Sequence, residues 1–307
     1  MPAARWARLS WNFPPRGRRL PATPAAAPTV CVTVDFDGLA LWLQWDASLS
    51  PSRLGRGEFG GRVGMPRLLD LLAAEKVPST VFVPGHTIEM FPDVCRRALA
   101  EGHELGHHGY LHKDPTTLSE AEERRELERG FTAFGDLLAV APTGYRAPGG
   151  NLSARTIGLL AEHGLRYDAS GVAHDYEPGY GRVGDTWTPD GPFTFGNQVD
   201  IVQFPTLTSM IDVPQMEFML SPPLSGLHDY AKITAMWAAE FDWMAGHHPG
   251  GVLTLILHPS TAPKGARLGV VRDFIRHARD GGARFATLSQ VANEWRQDHP
   301  PGSVLGN

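Results

Sequence analysis

The chain has 307 residues, of which 42% are hydrophobic and 20% charged, with a net charge of -5 and a pI near 6.2. That composition excludes extensive disorder and leaves ample material for a core. The mild acidity excludes a nucleic-acid partner, which demands clustered Lys and Arg. No stretch approaches the roughly 18 apolar residues of a membrane helix, so a membrane partner is excluded too.

Residues 1–28 carry Arg5, Arg8, Arg16, Arg18 and Arg19 among several prolines, with no apolar run to serve as a signal peptide. They read as a flexible N-terminal arm, and the protein as cytoplasmic. Residues 29–307 read as a single domain. Within it, short β-branched runs alternate with amphipathic helical patterns, the arrangement of an α/β parallel sheet or barrel. Strands are expected at Thr29–Val34, Thr80–Val83, Glu104–His107, Thr143–Tyr145, Arg166–Ala169, Ile201–Phe204, Leu253–Leu257 and Arg284–Ala286. Helices are expected at Met65–Glu75, Pro92–Glu101, Leu118–Leu138, Ala154–His163, Tyr230–Gly246 and Leu268–Asp280. Ser153 and Ser289 read as N-caps. Two segments, Leu39–Gly64 and His174–Val199, break the alternation and read as long functional loops. Cys31 and Cys95 show neither a disulfide framework nor a zinc-ribbon spacing and read as core residues.

Four segments carry chemistry. The first strand runs into Val34-Asp35-Phe36-Asp37-Gly38, and strand alternation points Asp35 and Asp37 to the same side. In a barrel that is the active-site rim, although a pair of turn-forming aspartates reads similarly. His103-Glu104-Leu105-Gly106-His107-His108-Gly109-Tyr110-Leu111-His112 follows the third strand. A helical turn there would set His108 and His112 on one face, suited to one metal ion. One carboxylate with two neutral imidazoles suits Zn2+ and leaves positions open for water and substrate. His103 and His107 read as packing or supporting groups. Arg146, in Gly144-Tyr145-Arg146-Ala147-Pro148-Gly149-Gly150, could hold Asp35 in a bidentate fork or form a plain loop salt bridge. His258, where Leu255-Ile256-Leu257 meets Pro259, can protonate a leaving nitrogen or sit satisfied in the core.

From about residue 29 to residue 296, these segments together resemble the NodB-homology polysaccharide deacetylase superfamily, carbohydrate esterase family 4. Val83-Pro84-Gly85-His86 and the tail from His258-Pro259 to Gly265 and Arg267 are similar to its intracellular branch of peptidoglycan-deacetylase-like proteins, cyclic imide hydrolases and metal-independent allantoinases. The resemblance implies a distorted (β/α)7 TIM-like barrel, a metal triad of Asp37, His108 and His112, Asp35 as general base, Arg146 as its orienter, His258 as general acid, and a homotetramer. The chain departs from the family's usual pattern at three places: Phe36 separates the two aspartates, Gly109 stands where Ser or Thr is usual, and Gly149 where Tyr is common.

The function expected is a hydrolase of non-peptide carbon–nitrogen bonds, using one divalent ion and acting on a small linear or cyclic amide or imide. The alternative is N-deacetylation of an N-acetyl sugar of peptidoglycan or chitin type. A non-catalytic carbohydrate-binding relative would have lost a member of the metal set, and a metal-free hydrolase would lack the complete triad. This chain retains Asp37, His108 and His112.

Overall fold

The computed structural model describes residues 26–45, 50–171, 173–220 and 223–301. Residues 1–25 of the expected arm lie outside the described residues. The strands are β1 (Thr29–Asp35), β2 (Ser79–Val83), β3 (Glu104–His107), β4 (Gly144–Tyr145), β5 (Tyr167–Gly171), β6 (Gly179–Val183), β7 (Asn197–Pro205), β8 (Phe218–Leu220), β9 (Pro223–Ser225), β10 (Val252–Leu257) and β11 (Arg284–Phe285). The helices are α1 (Ala40–Trp45), α2 (Pro51–Phe59), α3 (Met65–Glu75), α4 (Gly85–Met90), α5 (Pro92–Ala100), α6 (Glu120–Leu138), α7 (Thr156–Glu162), α8 (Asp212–Met216), α9 (Tyr230–His247), α10 (Arg267–Asp280) and α11 (Leu288–Asp298).

Seven parallel strands stand side by side in the order β10-β1-β2-β3-β4-β5-β7, with β6 antiparallel on the outer edge of β7 and β11 parallel on β1. A lone parallel bridge from Ile211 to Ile256 reaches from the segment after β7 across to β10. This is the expected distorted (β/α)7 barrel.

Alternation on β1 decides what each face does. Val30, Val32, Val34 and then Phe36 face outward into the core shared with α3, α9 and α10, whereas Cys31 faces the interior with Phe82, Tyr167 and Phe204. The bottom of the barrel is closed by α11, whose Leu288, Val291 and Ala292 join the interior cluster. A capping box starts that helix: Thr287 accepts from the Gln290 N–H, and Gln290 returns a bond to the Thr287 N–H. Thr287 thus takes the N-cap position expected of Ser289, and at α7 the N-cap position falls on Arg155 while Ser153 accepts from the Arg155 and Thr156 N–H groups.

Two further expectations are corrected. Leu39–Gly64 is not a loop: α1, α2 and a wider-wound turn at Gly60–Gly64 occupy most of its described residues. Gly57, Gly61 and Gly64 conceal helix because close packing needs them; a Cβ on Gly57 would lie 2.4 Å from the Gly38 carbonyl oxygen. His174–Val199 likewise contains β6 and the start of β7.

Candidate active site

The C-terminal ends of β1, β3, β4 and β10 open into one cavity of about 290 Å3, and Asp35, Asp37, His108, His112, Arg146 and His258 all line it. Every site residue expected from the sequence is therefore brought to one place. Phe36, the residue separating the aspartates, turns outward to lie 5.9 Å from Phe91, so Asp35 and Asp37 share the inner side as strand alternation requires.

His108 and His112 do not meet through a helical turn. The segment is a bent loop with Gly109 at φ +70° and His112 at φ +56°. Its left-handed kink brings the two rings to 5.0 Å, and at Gly109 that conformation favours a residue without a Cβ. His107 supports the kink from below: its Nδ1 accepts from the Gly109 N–H, and its Nε2 donates to the Leu127 carbonyl. His103 binds the Ser79 N–H at 3.1 Å. His107 thus supports the loop that carries His108, and His103 ties down the start of β2, within the packing or supporting roles expected of them.

One atom from each of Asp37, His108 and His112 lies within 4.8 Å of the others, and all three residues are buried. Asp37 Oδ1 has no hydrogen-bond partner, and the Nε2 atoms of His108 and His112 stand 3.5 and 3.6 Å from it. An orphaned buried carboxylate oxygen facing two ring nitrogens is costly unless a cation joins them, so the donor set fits a divalent ion. The protonation states agree. Burial alone would push the Asp37 carboxyl up, but the imidazoles of His112, His108 and His258 hold it at about 2. Burial, opposed by Asp37, lowers the His112 imidazole to about 4. His108 Nδ1–H donates to the Arg146 carbonyl at 2.7 Å, leaving Nε2 as the lone-pair nitrogen. His112 Nδ1 lies 2.7 Å from the Gln44 amide, whose oxygen must face it for His112 to do the same; the two ends of an amide exchange by a flip.

Arg146 holds Asp35 through one nitrogen and not through the expected bidentate fork, because its Nε is taken by a backbone carbonyl and its buried Nη2 has no hydrogen-bond partner. Its Nη1 donates to Asp35 Oδ1 at 2.6 Å and to Thr33 at 2.9 Å, its Nε donates to the Ala169 carbonyl, and its guanidinium lies 4.4 Å over the Phe82 ring. Asp35 Oδ2 lies 3.9 Å from His258 Nε2.

Asp212 was not foreseen. Fully buried at the start of α8, it accepts from His258 Nδ1–H at 2.7 Å and from the His258 and Ala262 backbone N–H groups. Burial would lower the His258 imidazole, but Asp212, with Asp37 and Asp35, outweighs it and raises the group to about 10. His258 is thus an imidazolium with Nε2 turned toward Asp35. Forty-six positions and no motif separate Asp212 from its partner, so only the Asp before a short helical pattern could have pointed to it.

The polysaccharide deacetylase family profile matches residues 53–167. The chain is 34% identical over 284 residues to a peptidoglycan deacetylase of Helicobacter pylori, covering 88% of this chain and 97% of that one. It is 30% identical over 298 residues to a peptidoglycan deacetylase-like protein of Gibberella zeae, covering 88% and 86%. Among solved structures, a Mycobacterium smegmatis chain assigned to the polysaccharide deacetylases superposes with a TM-score of 0.80 at 31% identity, covering 94% of this chain and 96% of that one. Puue allantoinase superposes with a TM-score of 0.73 at 22% identity over 91% and 93%, a likeness of fold. A relative matched along nearly its whole length and a barrel shared at 31% identity place the chain in the polysaccharide deacetylase family, as a hydrolase of carbon–nitrogen bonds other than peptide bonds.

Proposed function

We propose that this enzyme hydrolyses a small linear or cyclic amide or imide, with Asp37, His108 and His112 holding one divalent ion. The observation that carries the substrate size is the cavity: about 290 Å3, at the lower end of small-ligand sites, walled by Leu41, Trp42, Val213, Pro214, Met219 and Leu224. Such walls suit a ring or a short acyl amide better than the interior of a glycan chain.

A divalent ion on the triad supplies Lewis acidity, lowering the pKa of a bound water and polarising the substrate carbonyl. The remaining work belongs to the chain. Arg146, donating to Asp35 Oδ1 at 2.6 Å, fixes the orientation of that carboxylate, so Asp35 takes a proton from the attacking water as the oxygen–carbon bond forms. The His258 imidazolium, held by Asp212, gives its proton to the nitrogen as the carbon–nitrogen bond breaks. The proton gained by Asp35 returns to His258 across the 3.9 Å between them, restoring both groups.

A second reading, N-deacetylation of an N-acetyl sugar, is favoured by the names of the relatives matched along most of their length. Hydrolysis of succinimide and dihydrouracil against an N-acetylglucosamine oligomer, before and after chelation, separates the two. Ring opening that chelation abolishes supports the first reading, and deacetylation alone supports the second. We further read the ion as zinc, the compartment as the cytoplasm and the assembly as a homotetramer, the last consistent with exposed Trp187, Phe193 and Phe195 on the β6–β7 connection. Light scattering that finds a monomer at micromolar concentration would refute the assembly.

A further inference from the structure

The cavity has a second charged wall that the chemistry above leaves unused. Glu217, just beyond α8 and 7% exposed, accepts from Arg267 at 2.6 Å, Arg56 at 3.2 Å and Lys264 at 3.2 Å. Burial would push its carboxyl up, but Arg267 and Lys264 outweigh it and hold the group below the ordinary range. Three cations on one carboxylate leave an excess of two positive charges. The neighbouring acid on α2, Glu58, is paired with Arg62 instead.

The three cations are not equivalent. Arg267 is spent on Glu217 and the Thr261 carbonyl inside the protein. Of the three, Arg56 alone lines the cavity, where Glu217 lines it too, and its guanidinium lies 5.6 Å over the Trp42 ring. Gly57, laid against the Gly38 carbonyl, seats Arg56 beside the loop that carries Asp37. Arg56 is 35% exposed and shares Glu217 with two other cations, so its guanidinium keeps donor capacity free at the edge of the cavity. A guanidinium there matches a planar carboxylate.

We propose that Arg56, steadied by Glu217 and Trp42, receives a carboxylate carried by the substrate, so that the enzyme acts on small amides or imides that are anionic. This rests on the reading of the cavity as the substrate site. The test is calorimetric binding of hydantoin-5-acetate against its neutral partner hydantoin-5-acetamide, with turnover of both followed separately. The wild type should bind the carboxylate at least about 10-fold more tightly. Arg56→Gln should bring the two within about twofold by weakening binding of the carboxylate, and Arg56→Lys should restore part of the preference, which excludes misfolding as the cause. Equal affinities in the wild type, a preference that Arg56→Gln leaves intact, or no binding of either compound would overturn the proposal. Chelator-sensitive turnover without a carboxylate preference sinks the anion wall and leaves the proposed function standing. A preference governed by Arg56 without turnover of either ring keeps the wall and sinks the small-imide reading.

Discussion

Asp35 and Asp37 differ by one turn of the pleat and by everything around them. Asp37 Oδ1 faces two ring nitrogens and nothing else, whereas Asp35 Oδ1 is gripped by Arg146. Asp35→Asn should therefore retain the metal and lose about 10²–10⁴-fold in kcat, while His108→Ala should lose metal and activity together. Metal analysis of both variants checks this, and loss of metal in Asp35→Asn would make Asp35 a ligand. Asp212 is the residue whose role the sequence concealed most completely. Replacing it with Asn removes the principal attraction holding His258 protonated, so the alkaline limb of the kcat/KM profile should move to lower pH, toward the ordinary imidazole value of 6.5, with metal content unchanged. A limb that stays in place would mean His258 is not the acid it reports.

At the scale of elements, legibility followed the strength of periodic patterns. The buried strands and the helix Met65–Glu75 were readable because each satisfies a simple alternation or a three-and-four spacing. The stretch from Leu39 to Gly64 was not, since Gly55, Gly57, Gly60, Gly61 and Gly64 argue against helix locally while tertiary packing demands it. The same segment offers an internally controlled test. Gly55 has open space where a Cβ would go, so Gly55→Ala should stabilise by about 0.5–1 kcal/mol through helix propensity alone. Gly57→Ala gains the same propensity but drives a Cβ into the Gly38 backbone, and overpacking of about 1–3 kcal/mol should outweigh it. Denaturant midpoints of the two variants moving in the same direction would contradict this packing. The histidine pair was legible as a metal site, but its geometry was not, because the kinked loop is held by Glu126 of α6 and by the Arg146 carbonyl just beyond β4, partners that local spacing does not reveal.

Across the whole molecule, the buried titrating groups set a pH window for the metal-free protein. Burial holds His107 and His112 at about 4, so both are neutral when folded and take up protons when unfolded below 6.5. Their contribution is complete above 6.5 and is lost as pH falls toward 4; Asp37, held at about 2, extends the loss below its ordinary 3.8. His258 works in the opposite sense. Raised to about 10, it stabilises fully below 6.5 and progressively less as pH climbs to about 10. Burial also raises the Cys31 thiol, so an unfolded chain that ionises near 9 is favoured further at alkaline pH. Chelated protein should thus be most stable near neutrality and lose roughly 4 kcal/mol by pH 4.5. A urea series across pH 4.5–9.5 checks this, and constant stability down to pH 4.5 would contradict the buried neutral histidines.

The central claim is that Asp37, His108 and His112 hold an ion on which carbon–nitrogen hydrolysis depends. Elemental analysis of the purified protein, paired with hydrolysis before chelation, after chelation and after adding zinc back, tests it most directly. About one divalent ion per chain, with activity lost on its removal and recovered on its return, is the predicted result. Turnover that persists in protein shown to be free of metal would contradict the account.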